Sequence, residues 1–235
     1  MAKRNRSEGL HKVSPASRTV VMLLLLTGCA GPREVSFPSQ DGGIVYAHVY
    51  GDGERAVVLA HGGRFTKESW AAQARTLARA GFRVVAIDFR GRGKSRGGPA
   101  SASREEGAHF DVLAAVRYAR QTGAMSVAVV GASFGGWAAA QAAAAEAGEI
   151  ERLVLLAATV NEPERLAGRK LFILSRGDFS GDGTLRLPQI REQYERAPDP
   201  KKLVVLEGAA HAQFVFQSDQ GDRLMKEILD FLSGP

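Results

Sequence analysis

The residue of this chain best suited to nucleophilic chemistry is Ser133, held in Gly131-Ala132-Ser133-Phe134-Gly135. Before it runs MSVAVVG (125–131), a short apolar stretch, and behind it comes an alanine run from Ala138. Gly-x-Ser-x-Gly between a strand and a helix presents a hydroxyl at the tip of a strained bend, with glycines where the backbone must pass closely. The following helix aims its N-terminal N–H groups and dipole at the reacting centre. A serine hydroxyl attacks only when a base within hydrogen-bond reach takes its proton. Among the histidines, His11 lies in the leader, His48 in an early hairpin and His109 on a helix, where it reads as a surface or boundary residue. His211 falls just past the last predicted strand and is the candidate base.

The elements that must position these groups alternate regularly. EVSFPS (34–39) and GIVYAHVY (43–50), separated by a turn at Gln40-Asp41-Gly42-Gly43, predict an antiparallel hairpin. RAVVLAH (55–61), FRVVAIDF (82–89), MSVAVVG, RLVLLAA (152–158), KLFILS (170–175) and KLVVLEG (202–208) predict buried strands. Helices fall between them: one through Trp70, Ala74, Leu77 and Ala78 closed by Gly81, and one opened by the capping box Ser103-Arg104-Glu105-Glu106 and ended at Gly123. The alanine run, a helix over 187–197 and a last one with Leu224, Ile228, Phe231 and Leu232 complete the set. Near-continuous apolar strands alternating with helices imply an α/β fold, a mostly parallel doubly wound sheet that binds ligands at the carboxyl ends of its strands.

The chain resembles the α/β-hydrolase superfamily over most of residues 34–233. Besides the serine elbow, the resemblance rests on HGGRFTKESW (61–70), DFRGRGKS (88–95) and LEGAAHAQF (206–214). It implies a catalytic set in the chain order Ser, acid, His. That order leaves Asp178 as the acid after KLFILS, Asp182 as a rival in SGDG, and Asp88 as a weaker candidate that holds its loop together. It also implies an oxyanion hole built from backbone N–H groups of Phe134 and of Gly63, with Arg64 in contention for the second, and a structural use for His61 in that turn.

Many relatives carry a helical cap between the sixth and seventh strands. Here only TVNEPERLAGR (159–169) separates them, so no cap domain is expected and the site should be open, covered at most by loops such as 92–104. The expected activity is a serine hydrolase that cleaves carboxylic esters through an acyl-enzyme, with a small-molecule ester as substrate. A peptidase or amidase of the prolyl-oligopeptidase-like or dienelactone hydrolase type is the alternative, and a non-catalytic envelope lipoprotein the third reading. No cofactor or metal is expected: the histidines are scattered and no His-Glu-x-x-His occurs. GRGKS lacks phosphate-loop spacing. Arg90, Arg92, Lys94 and Arg96 form a short basic run near the site mouth that reads as a solvated loop, with contact to an anionic substrate as the alternative.

The formal charge of +6 is concentrated in the first 28 residues, and the remainder mixes Lys and Arg with Asp and Glu, which argues against nucleic acid as a partner. Apolar residues make up 45% and charged residues 24%, as in ordinary globular proteins. The leader pairs a basic stretch (1–18) with the apolar run Val20–Leu26, well short of the ~20 residues of a membrane span. Leu26-Thr27-Gly28-Cys29 resembles a bacterial lipobox, in which the cysteine is acylated. Cys29 is the chain's only cysteine. The expected organisation is a signal peptide (1–28), a tether (29–33) and a hydrolase domain (34–235). The expected location is the bacterial envelope, anchored in the membrane by lipid on Cys29. Ala30 after the cysteine favours an outer membrane, facing the periplasm, where the cell has one.

Overall fold

A computed structural model describes Met1, residues 31–99, Ser101 and residues 103–234. The expected signal peptide beyond Met1, and Cys29, lie outside the described residues. The chain divides into two units, Met1–Ala30 and Gly31–Pro235, and the sheet and its helices belong to the second.

The centre of this second unit is one eight-stranded sheet. The strands are β1 (Arg33–Pro38), β2 (Ile44–Tyr50), β3 (Arg55–Ala60), β4 (Phe82–Ile87), β5 (Ser126–Ala132), β6 (Arg152–Leu156), β7 (Arg169–Ser175) and β8 (Lys201–Leu206). They lie in the order β1-β2-β4-β3-β5-β6-β7-β8. β1 pairs antiparallel with β2, and β2 antiparallel with β4; every later pairing is parallel. The predicted hairpin and parallel sheet are therefore present, with β1 starting at Arg33, inside the expected tether.

The apolar strand sequences follow from this topology. Val57, Val58 and Leu59 on β3, Val84–Ile87 on β4 and Leu171–Leu174 on β7 are fully buried, because a parallel strand has both faces covered. Among the described residues, five α-helices flank the sheet: α1 (Ala71–Arg79), α2 (Arg104–Gln121), α3 (Phe134–Ala145), α4 (Arg186–Arg196) and α5 (Gly221–Ser233). α2 opens with the anticipated capping box, Ser103 Oγ accepting the Glu106 N–H and the Glu106 carboxylate accepting the Ser103 N–H. Buried alanines of α3 (Ala138–Ala140, Ala142, Ala143) let that helix settle closely on the sheet and on α2.

The loop after β4 corrects one sequence expectation. Arg90 is not solvated. It is buried, donating from Nε and Nη2 to the buried Asp111 carboxylate on α2 and from Nη1 to Asp41 in the hairpin turn. Lys94 does remain exposed and pairs with Glu34. A charge run in sequence reads as solvated because its partners lie elsewhere in the chain. Here they tie the hairpin, the loop and α2 together.

Between β6 and β7 there is only a short 3₁₀ turn, Pro163–Arg165, and no cap. Among the described residues, no helix is long and apolar enough to cross a membrane. Eight mostly parallel strands, an antiparallel hairpin at the start and flanking helices make this the α/β-hydrolase fold.

Candidate active site

Four parallel strands deliver the site at their carboxyl ends: β5 runs into Ser133, β7 into Asp178, β8 into His211 and β3 into His61. Ser133 has φ 49° and ψ −116°, a left-handed conformation that L residues adopt only under constraint. The constraint comes from its own backbone: the N–H donates to the Leu156 carbonyl at 2.9 Å, and the carbonyl accepts the Trp137 N–H at 3.0 Å. The flanking glycines are sterically required. A Cβ on Gly131 would lie 2.5 Å from the Gly135 carbonyl oxygen, and one on Gly135 2.2 Å from that of Ala60.

His211 Nε2 lies 2.8 Å from Ser133 Oγ, and its Nδ1 lies 2.8 Å from Asp178 Oδ2 and 3.0 Å from Oδ1. With the carboxylate as acceptor, Nδ1 carries the ring proton and Nε2 is free to accept from the hydroxyl. Asp178 is fully buried, whereas the imidazole is partly open to solvent. The backbone carbonyl of Asp178 accepts the Arg186 N–H at 2.9 Å, and Arg186 Nε lies 3.5 Å from Asp178 Oδ1.

The other two acid candidates do not reach the imidazole. Asp182 is exposed and spends Oδ1 on Ser180 Oγ at 2.5 Å and the Thr184 N–H at 3.0 Å. Those bonds, the Ser180 hydroxyl first, hold its pKa down to about 2. Asp88 is buried, accepting the Lys67 N–H at 2.7 Å and pairing with Lys67 Nζ at 2.8 Å. Its part is to join two loops.

The turn after β3 is held from several sides. His61 is buried, donating from Nδ1 to the Gly62 carbonyl (2.8 Å) and accepting the Phe89 N–H at Nε2 (3.3 Å). Burial pushes its pKa down to about 4, so the ring is neutral at pH 7. The Gly62 N–H donates to Gln213 Oε1 at 2.7 Å, and Gln213 Nε2 donates to Ser69 Oγ at 2.9 Å. The Gly63 carbonyl accepts from the guanidinium of Arg92 and, at 3.5 Å, from that of Arg104. Gly63 and Phe134 are neighbours: a Cβ on Gly63 would sit 3.8 Å from that of Phe134.

Above Ser133 opens a cavity of about 370 Å³. Gly62, Gly63, Arg64, Phe65, Ser133, Phe134, Phe179, Gly181, Arg186, His211, Ala212 and Phe214 line it. Ser133, His211, Gly63 and Phe134 are thus brought together, with Asp178 beneath His211. Sequence reasoning missed Gln213, Arg186 and the aromatic wall of Phe65, Phe179 and Phe214. Among the described residues the lining comes partly from Phe179, Gly181, Arg186, His211, Ala212 and Phe214, while Arg92 and Arg104 of the 92–104 region hold the Gly63 carbonyl. Among the described residues, no group of three or more His, Cys, Asp or Glu is placed to hold a metal ion.

Comparison with known proteins identifies the family and the fold. The family model Hydrolase_4, Serine aminopeptidase, S33, matches residues 51–177, a span that contains Ser133 and stops one residue before Asp178. The chain is 29% identical over 183 residues to the Rattus norvegicus "Putative protein-lysine deacylase ABHD14B", covering 75% of this chain and 82% of the relative. The esterase RhEst1 from Rhodococcus superposes with a TM-score of 0.69 at 19% identity, over 87% of this chain and 99% of that one. The Pyrococcus furiosus esterase Pf2001 does so with a TM-score of 0.68 at 17% identity, over 86% and 93%. At such identities the structural likeness shows the fold; the family match covers more than half of the chain. The chain belongs to the Hydrolase_4 family, Serine aminopeptidase, S33, and is a hydrolase with the α/β-hydrolase fold.

Proposed function

We propose that this hydrolase is a serine esterase working through Ser133, His211 and Asp178. The observation that carries the reading is the unbroken run of hydrogen bonds from Asp178 to His211 Nδ1 and from His211 Nε2 to Ser133 Oγ. In the first step Oγ bonds to the acyl carbon as Nε2 takes its proton. The N–H groups of Phe134 and Gly63 receive the charge on the former carbonyl oxygen. The ester C–O bond breaks, and the proton passes from Nε2 to the departing alkoxide. Water, deprotonated by the same nitrogen, then releases the acid and restores the hydroxyl. Asp178 keeps the imidazole in the productive tautomer and stabilises its charged form.

The open cavity, with no cap above it, suits short acyl esters or accessible ends of larger molecules. The test is labelling with a fluorophosphonate. The wild-type chain is expected to label and Ser133→Ala to lose the label; equal labelling of both overturns the assignment.

Amide cleavage is the second reading, favoured by the aminopeptidase description of the family and the deacylase name of the rat relative. A panel of p-nitrophenyl acyl esters beside aminoacyl anilides and acyl-lysine peptides separates the two by their kcat/KM.

The place of action follows from the leader. Cleavage before Cys29 and acylation of its thiol would leave the hydrolase tethered to the bacterial envelope, and two or more acyl chains suffice for stable anchoring.

A further inference from the structure

The cavity over Ser133 is electrically one-sided. Arg64 and Arg186 line it, and among the described residues none of the lining side chains is acidic. Arg186 Nε is buried without a hydrogen-bond partner. The nearby anion, Asp178 Oδ1 at 3.5 Å, belongs to a carboxylate whose two oxygens both face His211 Nδ1. Outside the lining, the Arg92 and Arg104 guanidinium groups donate to the Gly63 carbonyl. Arg104 also stacks 4.1 Å over the Phe134 ring, with Nε and Nη2 buried and unpartnered. Two cations thus line an aromatic cleft of limited volume, and two more hold the turn that carries Gly63. A planar guanidinium fork offers paired donors that match a carboxylate, and its attraction rises where water is excluded.

We propose that the cavity selects esters carrying a carboxylate close to the scissile carbonyl, with Arg186 and Arg64 as the specificity-determining residues. This rests on the serine-esterase reading of the same site. The neutral remainder of the substrate lies against Phe65, Phe179 and Phe214, and the anion meets the Arg186 and Arg64 side chains that line the cavity.

The test compares esters matched except for charge: the 4-nitrophenyl monoester of glutaric acid with its methyl ester, and 4-acetoxybenzoate with its methyl ester, after subtraction of spontaneous hydrolysis. The first pair places the anion on the acyl half, the second on the leaving group. Wild-type kcat/KM is expected to favour the anionic member of at least one pair by about tenfold or more, as for charge-assisted hydrogen bonds. The ratio should fall to near unity in the double variant Arg64→Gln, Arg186→Gln, chiefly through KM, and Arg186→Lys should retain part of it. Taking the ratio cancels any common effect of Arg186 on Asp178. A wild-type preference for neither anion, or a preference that survives the double variant, overturns the proposal, while Ser133-dependent hydrolysis of the neutral esters leaves the esterase reading standing. If no ester is cleaved and no fluorophosphonate label appears, the esterase reading fails. Calorimetric titration with glutarate then decides the anion site: binding that the double variant loses supports it, and no binding to the wild type overturns it.

Discussion

Gln213 accepts the Gly62 N–H at 2.7 Å across 151 positions of sequence. The loop that delivers His211 therefore also ties down the turn that carries Gly63. Gln213 is buried and its amide nitrogen is spent on Ser69, so the carboxamide has both ends committed. Gln213→Ala would leave the Gly62 N–H buried and unpaired, at a cost of about 1–3 kcal/mol. The expected outcome is a kcat on p-nitrophenyl esters lower by about tenfold, a smaller change in KM and a lower melting temperature. A loss of stability with kcat unchanged would show that the contact serves the fold alone.

Ser133 sits in a strained backbone conformation. Its φ of 49° lies where glycine is at ease and alanine is not. Both Ser133→Ala and Ser133→Gly should abolish turnover, but the glycine variant is expected to be the more stable by about 1 kcal/mol, since backbone strain of this kind costs about 1–3 kcal/mol and glycine's extra freedom when unfolded offsets part of the relief. Thermal unfolding of the two inactive proteins measures the difference. Equal melting points would mean that the bend is not strained.

The two aspartates of RGDFSGDG separate by burial. Asp178→Asn keeps the shape but presents an amide to Nδ1, disfavouring the tautomer in which Nε2 accepts the serine proton. The expected loss of kcat is about 10⁴-fold, the scale seen when the acid of a serine protease triad is changed in this way. Asp182→Asn should stay within about twofold, because surface changes away from the site are mild. Steady-state kinetics of the pair decides the assignment.

Much of this architecture is legible in the sequence, for identifiable reasons. Strands buried on both faces read as apolar runs, so β3 to β7 can be placed nearly to the residue, and the glycines around Ser133 are forced by contacts that no side chain survives. What stays illegible depends on partners remote in sequence. Arg90 reads as solvated because Asp41 and Asp111 lie 49 and 21 positions away. Nothing about a glutamine two places after a histidine announces a bond to Gly62. The aromatic rim escapes a sequence reading because Phe179 and Phe214 are isolated residues without periodicity, and their loops converge only once β7 and β8 are adjacent.

Cys29 offers a prediction independent of the active site. If it is the acylated residue, a bacterial host grown with an alkyne-bearing palmitate should label the full-length protein in the membrane fraction. Cys29→Ala should lose the label and stay in its precursor form, because the cysteine is both cleavage mark and acceptor. The Cys29→Ala variant labelling as strongly as wild type would rule the anchor out.

His61 predicts a response to acid. In the folded protein burial holds its pKa down to about 4, against an ordinary 6.5 once the chain unfolds. Between those values the unfolded chain binds a proton that the folded one refuses, so unfolding is favoured as pH falls. The stabilising contribution is fully present above about pH 6.5 and lost progressively toward pH 4, amounting to at most about 3 kcal/mol. Urea unfolding at intervals between pH 7.5 and 4.5 should show stability declining through this window. In His61→Asn, which has no proton to gain, the decline should be shallower, although the variant is less stable at pH 7 for want of the bonds to Gly62 and Phe89. Parallel slopes for the two proteins would mean that the acid sensitivity arises at another group.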